Sequence, residues 1–217
     1  MIVEARTYDI AVGQVGDYVA NYALHGLPVS LRHGLALAGY FGVEAGNLHQ
    51  VVHYWKHDSL ADRESRRALR DADPAWRAYQ AGARGRVLRQ EVRLFETHDV
   101  VPPFAVAGAA DPHAFVEECV TLTEPGDTAA FEAEFARRLL PRMAAAGARL
   151  VCSMRGLTGM TGEVVHLWYW EGMAARDRAQ AALAADRSWQ RAQRETQGLT
   201  RAHARRFLRP LAISPLR

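Results

Sequence analysis

The feature that most constrains this chain is that it matches itself. Shifted by 113 positions, the 217-residue sequence overlays its own second half without a gap. Val3-Glu4 falls on Val116-Glu117, Leu27-Pro28 on Leu140-Pro141, and Val51-Val52-His53 on Val164-Val165-His166. Trp55 meets Trp168, Arg63 meets Arg176, Ala72-Asp73 meets Ala185-Asp186, and Trp76 meets Trp189. Rare Trp, His and Pro do not keep one register over such a span by accident, so the chain is a duplicated unit. Residues 1–98 are read as the first repeat, 99–112 as a linker and 113–217 as a second, diverged repeat. The linker holds Pro102-Pro103, Gly108 and Asp111-Pro112, which break regular structure.

Each copy carries the same succession of signals. Ile2 to Ile10 is β-branched and alternating, a strand. Gln14 to His33 places Val15, Tyr18, Val19 and Tyr22 at helical spacing, with Pro28 expected to kink or end the helix. Gly39 to Glu44 and Gln50 to Lys56 read as strands across a Gly46-Asn47 turn. Asp58 or Ser59 can cap a helix running to about Asp71. Asp73-Pro74 opens a shorter helix around Trp76 and Tyr79, and Val87 to Glu96 is the fourth strand. The order β-α-β-β-α-β is the ferredoxin-like unit, so the fold class is α+β. A lone sheet with helices on one face leaves its other face bare. Two tandem repeats can bury both faces by packing sheet to sheet, as a pseudo-dimer within one chain. Further homo-oligomerisation stays open.

Composition narrows the partners. No run of eighteen apolar residues occurs and the first residues form a strand, so neither a membrane span nor a secretory signal is expected. Two cysteines make no disulfide framework, and a cytoplasmic setting is the default. Arg63, Arg66, Arg67 and Arg70 are interleaved with Asp62, Glu64, Asp71 and Asp73, which reads as a solvated helix face and not a nucleic-acid patch. His49, His53 and His57 lie four apart, but on a strand that is about 13 Å between neighbours, too far to share a metal. No metal site is expected.

Several segments resemble the NIPSNAP family. They are Glu4-Ala5-Arg6-Thr7-Tyr8, Leu27-Pro28, His33-Gly34, Gly39-Tyr40, Asn47 to Trp55, and Ala72-Asp73-Pro74-Ala75-Trp76. The resemblance covers nearly all of the first copy and, more loosely, Val164 to Trp168 and Asp186 to Trp189 of the second. It implies the dimeric α/β barrel, a superfamily holding cofactor-free monooxygenases, haem enzymes, isomerases, cyclases and binding proteins. It also implies that the strand tryptophan points into a cavity.

Strand parity then sorts the candidates. Glu4, Arg6 and Tyr8 share one side of the first strand and Val3, Ala5 and Thr7 the other. The small set is expected beneath the helices, and the polar set, with His53 and Trp55, inside the barrel. In that reading His53 is a general acid/base, Arg6 and Tyr8 steady oxygen charge, and Trp55 shapes the pocket, with Glu4, Tyr40 and His33 as further substrate contacts. The second-half equivalents are Glu117, Cys119, His166 and Trp168. Arg6 becomes Cys119, Tyr8 becomes Thr121, His33 becomes Ala146 and Tyr40 becomes Ser153, so the first copy is the better candidate and the second cavity is expected to become filler.

The function this supports is a small-molecule enzyme of the isomerase, cyclase or monooxygenase kind. It would act on a planar aromatic or polyketide-like metabolite without an organic cofactor. Two readings stand beside it. Glu4, Arg6 and His53 can form a purely structural network, since Glu4 and His53 recur as Glu117 and His166. Alternatively the chain is a non-catalytic module that mediates assembly or binds a ligand such as haem, with His53 or His166 as the axial candidate.

Overall fold

The computed structural model describes residues 1–105 and 113–216, so positions 106–112 of the expected linker lie outside the described residues. The first unit runs β1 (Ile2–Ile10), α1 (Val15–Asn21), a π-helical turn (Tyr22–Gly26), α2 (Leu27–Arg32), β2 (Ala36–Ala45), β3 (Gln50–His57), α3 (Leu60–Ala72), α4 (Pro74–Ala83) and β4 (Val87–Thr97). The second runs β5 (Phe115–Thr123), α5 (Thr128–Glu134), a π turn (Phe135–Leu139), α6 (Leu140–Ala145), β6 (Arg149–Gly156), β7 (Glu163–Trp170), α7 (Met173–Ala185), α8 (Arg187–Gln197) and β8 (Thr200–Pro210). Most of these elements start and stop 113 residues after their counterparts.

The eight strands close into one antiparallel barrel in the order β1-β3-β2-β8-β5-β7-β6-β4. Two seams join the units. Phe41 to Ala45 of β2 pairs with Phe207 to Pro210 of β8, and Phe95 to Thr97 of β4 pairs with Met154 to Gly156 of β6. β2 and β6 are equivalent, as are β4 and β8, so the seams are one contact used twice. Closure leaves no open sheet edge, which removes the pairing hazard that each unit alone would carry.

The barrel interior reverses one expectation. It is filled by Val3, Ala5, Val52, Tyr54 and Phe95 of the first unit against Val116, Met154, Val165 and Leu167 of the second. Glu4, Arg6, Tyr8, His53 and Trp55 do share one face, as parity requires, but that face lies beneath the helices. The apolar sets of both sheets meet there as one core, and the charge that does face inward is paired, Glu118 with Arg206 and Glu163 with Arg93. Phe104 of the linker packs against this interior, its N–H bonded to the Val151 carbonyl at 2.8 Å.

Local chemistry explains the helices. Ser59 caps α3 by accepting the Asp62 N–H at 3.1 Å, and Asp73 caps α4 by accepting the Ala75 N–H at 2.9 Å. Pro28 does not end its helix, which continues to Arg32. A π turn precedes it instead, with the Leu27 N–H reaching the Tyr22 carbonyl, and the second unit repeats this before Pro141. The wider turn accommodates a residue that has no N–H and would crowd the carbonyl four positions back. The arginines of α3 are not a solvated face either. Arg63 and Arg67 reach down to buried Glu4, and Arg70 is buried with its guanidinium 4.1 Å from the Trp76 ring centre. Among the described residues no helix is long and apolar enough to cross a membrane.

Candidate functional site

Antiparallel pairing places Arg6 opposite His53, and Glu4 opposite Trp55. The helices then roof this patch, enclosing a cavity of about 380 Å³. Its sheet side carries Arg6, Tyr8, His53 and Trp55. Its helical side carries Tyr18, Tyr22 and Tyr79, with Arg67, Arg70 and Trp76 alongside.

His53 is held from several sides. Its ring stacks on Tyr40 at 4.9 Å between centres, Tyr40 stacks on Tyr22 at 5.4 Å, and Tyr8 meets it edge-on at 4.8 Å. The Trp55 Nε1–H donates to His53 Nδ1 at 2.7 Å. Indole is only a donor, so Nδ1 must accept and the proton of the neutral ring must sit on Nε2. That Nε2 is buried and has no hydrogen-bond partner among the described residues. Burial, with the Arg6 cation next, pushes the imidazole down to about 3, so it is neutral across the physiological range. His53 is therefore a fixed, neutral N–H donor. This departs from the expected general acid/base, since the ring neither holds a spare proton to give nor offers a free nitrogen lone pair. The same tautomer leaves Nε2 unable to ligate an iron, so His53 does not fit an axial haem role while the Trp55 bond stands.

Arg6 joins two groups. Its Nε donates to Glu4 and its Nη1 to the Tyr8 hydroxyl oxygen. Burial works against its charge, but Tyr8 and Glu4 outweigh it and hold the guanidinium protonated. The hydroxyl hydrogen of Tyr8 is left to donate elsewhere.

The remaining candidates fall outside the cavity. Glu4 is the hub of an ion cluster, accepting from Arg6, from Arg63 at 2.6 Å and from Arg67 at 3.0 Å, with His57 Nε2 at 3.5 Å. Burial alone would raise its carboxyl; these partners hold it far below the usual range. Tyr40 backs His53 without lining the cavity. His33 caps a helix junction, its Nε2 2.8 Å from Asp73 Oδ2, and takes no part in the site. Sequence reasoning missed the helical tyrosines as lining groups. Tyr18 and Tyr22 showed as one helix face, and only the π turn sets Tyr22 over the strand.

The second unit builds an equivalent cavity, and it is not filled. It measures about 670 Å³ and includes Glu117, Cys119, Thr121, His166 and Trp168. Phe135 stacks on His166 at 3.7 Å, burial pushes that imidazole down to about 3, and among the described residues its Nε2 also lacks a partner. Burial, then Glu117, pushes the Cys119 thiol up to about 12, so it is no ready nucleophile. Glu117 accepts both Arg176 Nε at 2.9 Å and Nη2 at 2.8 Å, and the Trp170 indole at 3.0 Å.

No curated protein matches the chain. Over 98% of its length it superposes on 93% of a "putative monooxygenase" from Fusobacterium nucleatum with TM-score 0.71 and 9% identity. It also superposes over 98% of its length on 92% of an anthrone oxidase-like protein, with TM-score 0.61 and 11% identity. Such low identities speak for the fold alone. An uncharacterised NIPSNAP domain protein from Burkholderia xenovorans matches 47% of the chain over 99% of its own length at 29% identity, with TM-score 0.45. The NIPSNAP family model matches residues 3–98 and again 122–215, one segment in each repeat. Matched over most of its length by that model, this chain belongs to the NIPSNAP family.

Proposed function

We propose that the first cavity belongs to an enzyme that oxidises a planar, weakly acidic aromatic such as an anthrone, using dioxygen and no organic cofactor. One observation carries this. Three donors of different strength, the Arg6 guanidinium, the Tyr8 hydroxyl and the His53 Nε2–H, share an aromatic-walled cavity whose imidazole proton has no acceptor among the described residues. Such donors favour an oxygen anion over its neutral parent, so binding itself promotes loss of the acidic ring proton to water at the cavity mouth. The carbanion form adds dioxygen, takes up a proton to become a hydroperoxide, and loses water as the remaining C–H breaks. The net change is a methylene plus dioxygen giving a carbonyl plus water. Trp55 sets the His53 tautomer, and the tyrosines hold the ring plane. The names of the two full-length structural neighbours support this chemistry by fold analogy.

The test is oxygen consumption and quinone absorbance with anthrone and related hydroxyaromatics, without added cofactor. Tyr8→Phe keeps the packing and removes one donor, and His53→Ala removes another. Each should lower kcat/KM by roughly a hundredfold. His166→Ala should leave turnover near the parent value. Equal rates in Tyr8→Phe, His53→Ala and the parent would sink the proposal.

A further inference from the structure

The second cavity lacks the arginines that the first holds beneath its roof and carries its cations at the mouth, where the first has Arg84. In the first, charge sits against the sheet and under the roof, at Arg6, Arg67 and Arg70. The aligned residues in the second half are Cys119, Gln180 and Leu183, none of them charged. The roof loses its hydroxyls as well, since Tyr18 and Tyr22 become Phe131 and Phe135, and Tyr79 becomes Ala192, which opens space. What remains inside is a chamber walled by Phe131, Phe135, Trp168 and Met143, with polar groups already engaged at Glu117, Thr121 and Thr196 and, among the described residues, an unpartnered buried His166 Nε2. New positive charge appears at the mouth instead. Arg194, Arg201 and Arg205 are exposed there, where the first half has Ala81, Leu88 and Val92, and Arg205 lies 3.5 Å from Glu117. Arg194 makes no ion pair among the described residues, and Arg201 lies 4.0 Å from the nearest carboxylate oxygen, on Glu124, while its Nε donates to the Thr123 carbonyl at 3.0 Å and leaves its two Nη groups toward the mouth.

We infer that the second cavity is a ligand site in its own right, taking an amphipathic organic anion whose flat apolar body enters the chamber while its acid group stays at the Arg194 and Arg201 mouth. The chemistry differs from that of the first cavity, which offers cations to the ring oxygen itself. An acid group deep in the second chamber would lose its hydration and meet the buried Glu117 carboxylate, whose countercharge Arg176 is already engaged. At the mouth it keeps water and gains two guanidinium groups. The chamber, at about 670 Å³ against 380 Å³, admits a larger body. An acceptor at the inner end would satisfy His166 if that ring presents Nε2–H, as His53 does.

Two fluorescent probes of one skeleton test this on the full chain. Anilinonaphthalene sulfonate carries an anionic group, and N-phenyl-1-naphthylamine is its neutral parent. Both should bind, and the sulfonate should bind more tightly. Arg194→Ser with Arg201→Ser should weaken the sulfonate by roughly tenfold while changing the neutral probe by less than about twofold. His203→Trp fills the second mouth, and Gln90→Trp is its counterpart 113 residues earlier at the first. His203→Trp should weaken both probes by roughly tenfold or more, with an unchanged thermal midpoint showing that the fold persists, whereas Gln90→Trp should not. The proposal fails if neither probe binds, if the arginine changes affect both probes alike, or if Gln90→Trp is the blocking change. None of these readouts uses turnover, so the oxidation reading can fall while this one stands.

Discussion

Two patches built by equivalent residues have met opposite fates. The pair Glu4 and Arg63 recurs as Glu117 and Arg176, with the same buried carboxylate on the first strand and the same arginine on the following helix. Two strand positions further, Arg6 has become Cys119. The carboxylate clamp ties strand to helix, and both units need that tie wherever a ligand sits. The positions beyond it line the cavity, and duplication freed one of two cavities to change. Repetition therefore marks the clamp as common to both units and Arg6 and Tyr8 as positions that changed, while His53 recurs as His166.

The largest effect that can break this comparison is loss of the clamp. Glu4→Gln strands Arg6 and Arg67 beside a group that no longer carries charge, and Glu117→Gln does the same to Arg176. Each should cost about 3–5 kcal/mol in urea denaturation, because the stranded cations remain largely buried. If Glu117→Gln were silent while Glu4→Gln unfolded the chain, Glu4 would belong to the first site and not to a common scaffold.

Acid response sharpens the same point. His53 and His166 are both lowered to about 3 in the fold, against 6.5 in the unfolded chain. Below pH 6.5 the unfolded state takes up protons that the folded state refuses, so stability falls with pH until about 3. Each histidine contributes up to about 1.4 kcal/mol per pH unit in that window. His53→Phe and His166→Phe should each flatten the acid limb of a stability-versus-pH curve by a similar slope. A flattening confined to one of them would show that the other ring titrates freely in the fold.

Most of the fold was legible because its signals are local or repeated. Strand alternation, the Ser59 and Asp73 caps and the constant register needed only neighbours. Parity also collected Glu4, Arg6, Tyr8, His53 and Trp55 onto one face. Which way that face points was not local: it depends on how two sheets meet, and the apolar set Val3, Ala5 and Val52 was the clue, whereas inward Glu118 and Glu163 are paired with Arg206 and Arg93. The role of Arg63, Arg67 and Arg70 was hidden likewise, since charge alternation along α3 looks the same whether its arginines reach water or a buried carboxylate. The site's helical half escaped because a π turn, which no periodicity announces, sets Tyr22 above His53.

The smallest predicted effect reads out the atom on which the proposed chemistry turns. Trp55 and Trp168 are equivalent, yet only Trp55 donates to its histidine; the Trp168 and His166 rings lie tilted with centres 6.5 Å apart. Trp55→Phe should cost about 1 kcal/mol, a single hydrogen bond with little change of volume. Its informative consequence is electronic. With the indole donor gone, His53 Nδ1 is free to carry the proton, and the ring can populate the other tautomer. Imidazole nitrogen-15 shifts should then move from an Nε2–H pattern toward a mixture for His53, while Trp168→Phe leaves the His166 pattern unchanged. Turnover in Trp55→Phe should fall through kcat more than through KM, because the donor to the developing oxyanion is only partly present. An unaltered His53 pattern would mean that something other than Trp55 fixes the ring, and the donor role assigned to Nε2 would lose its structural basis.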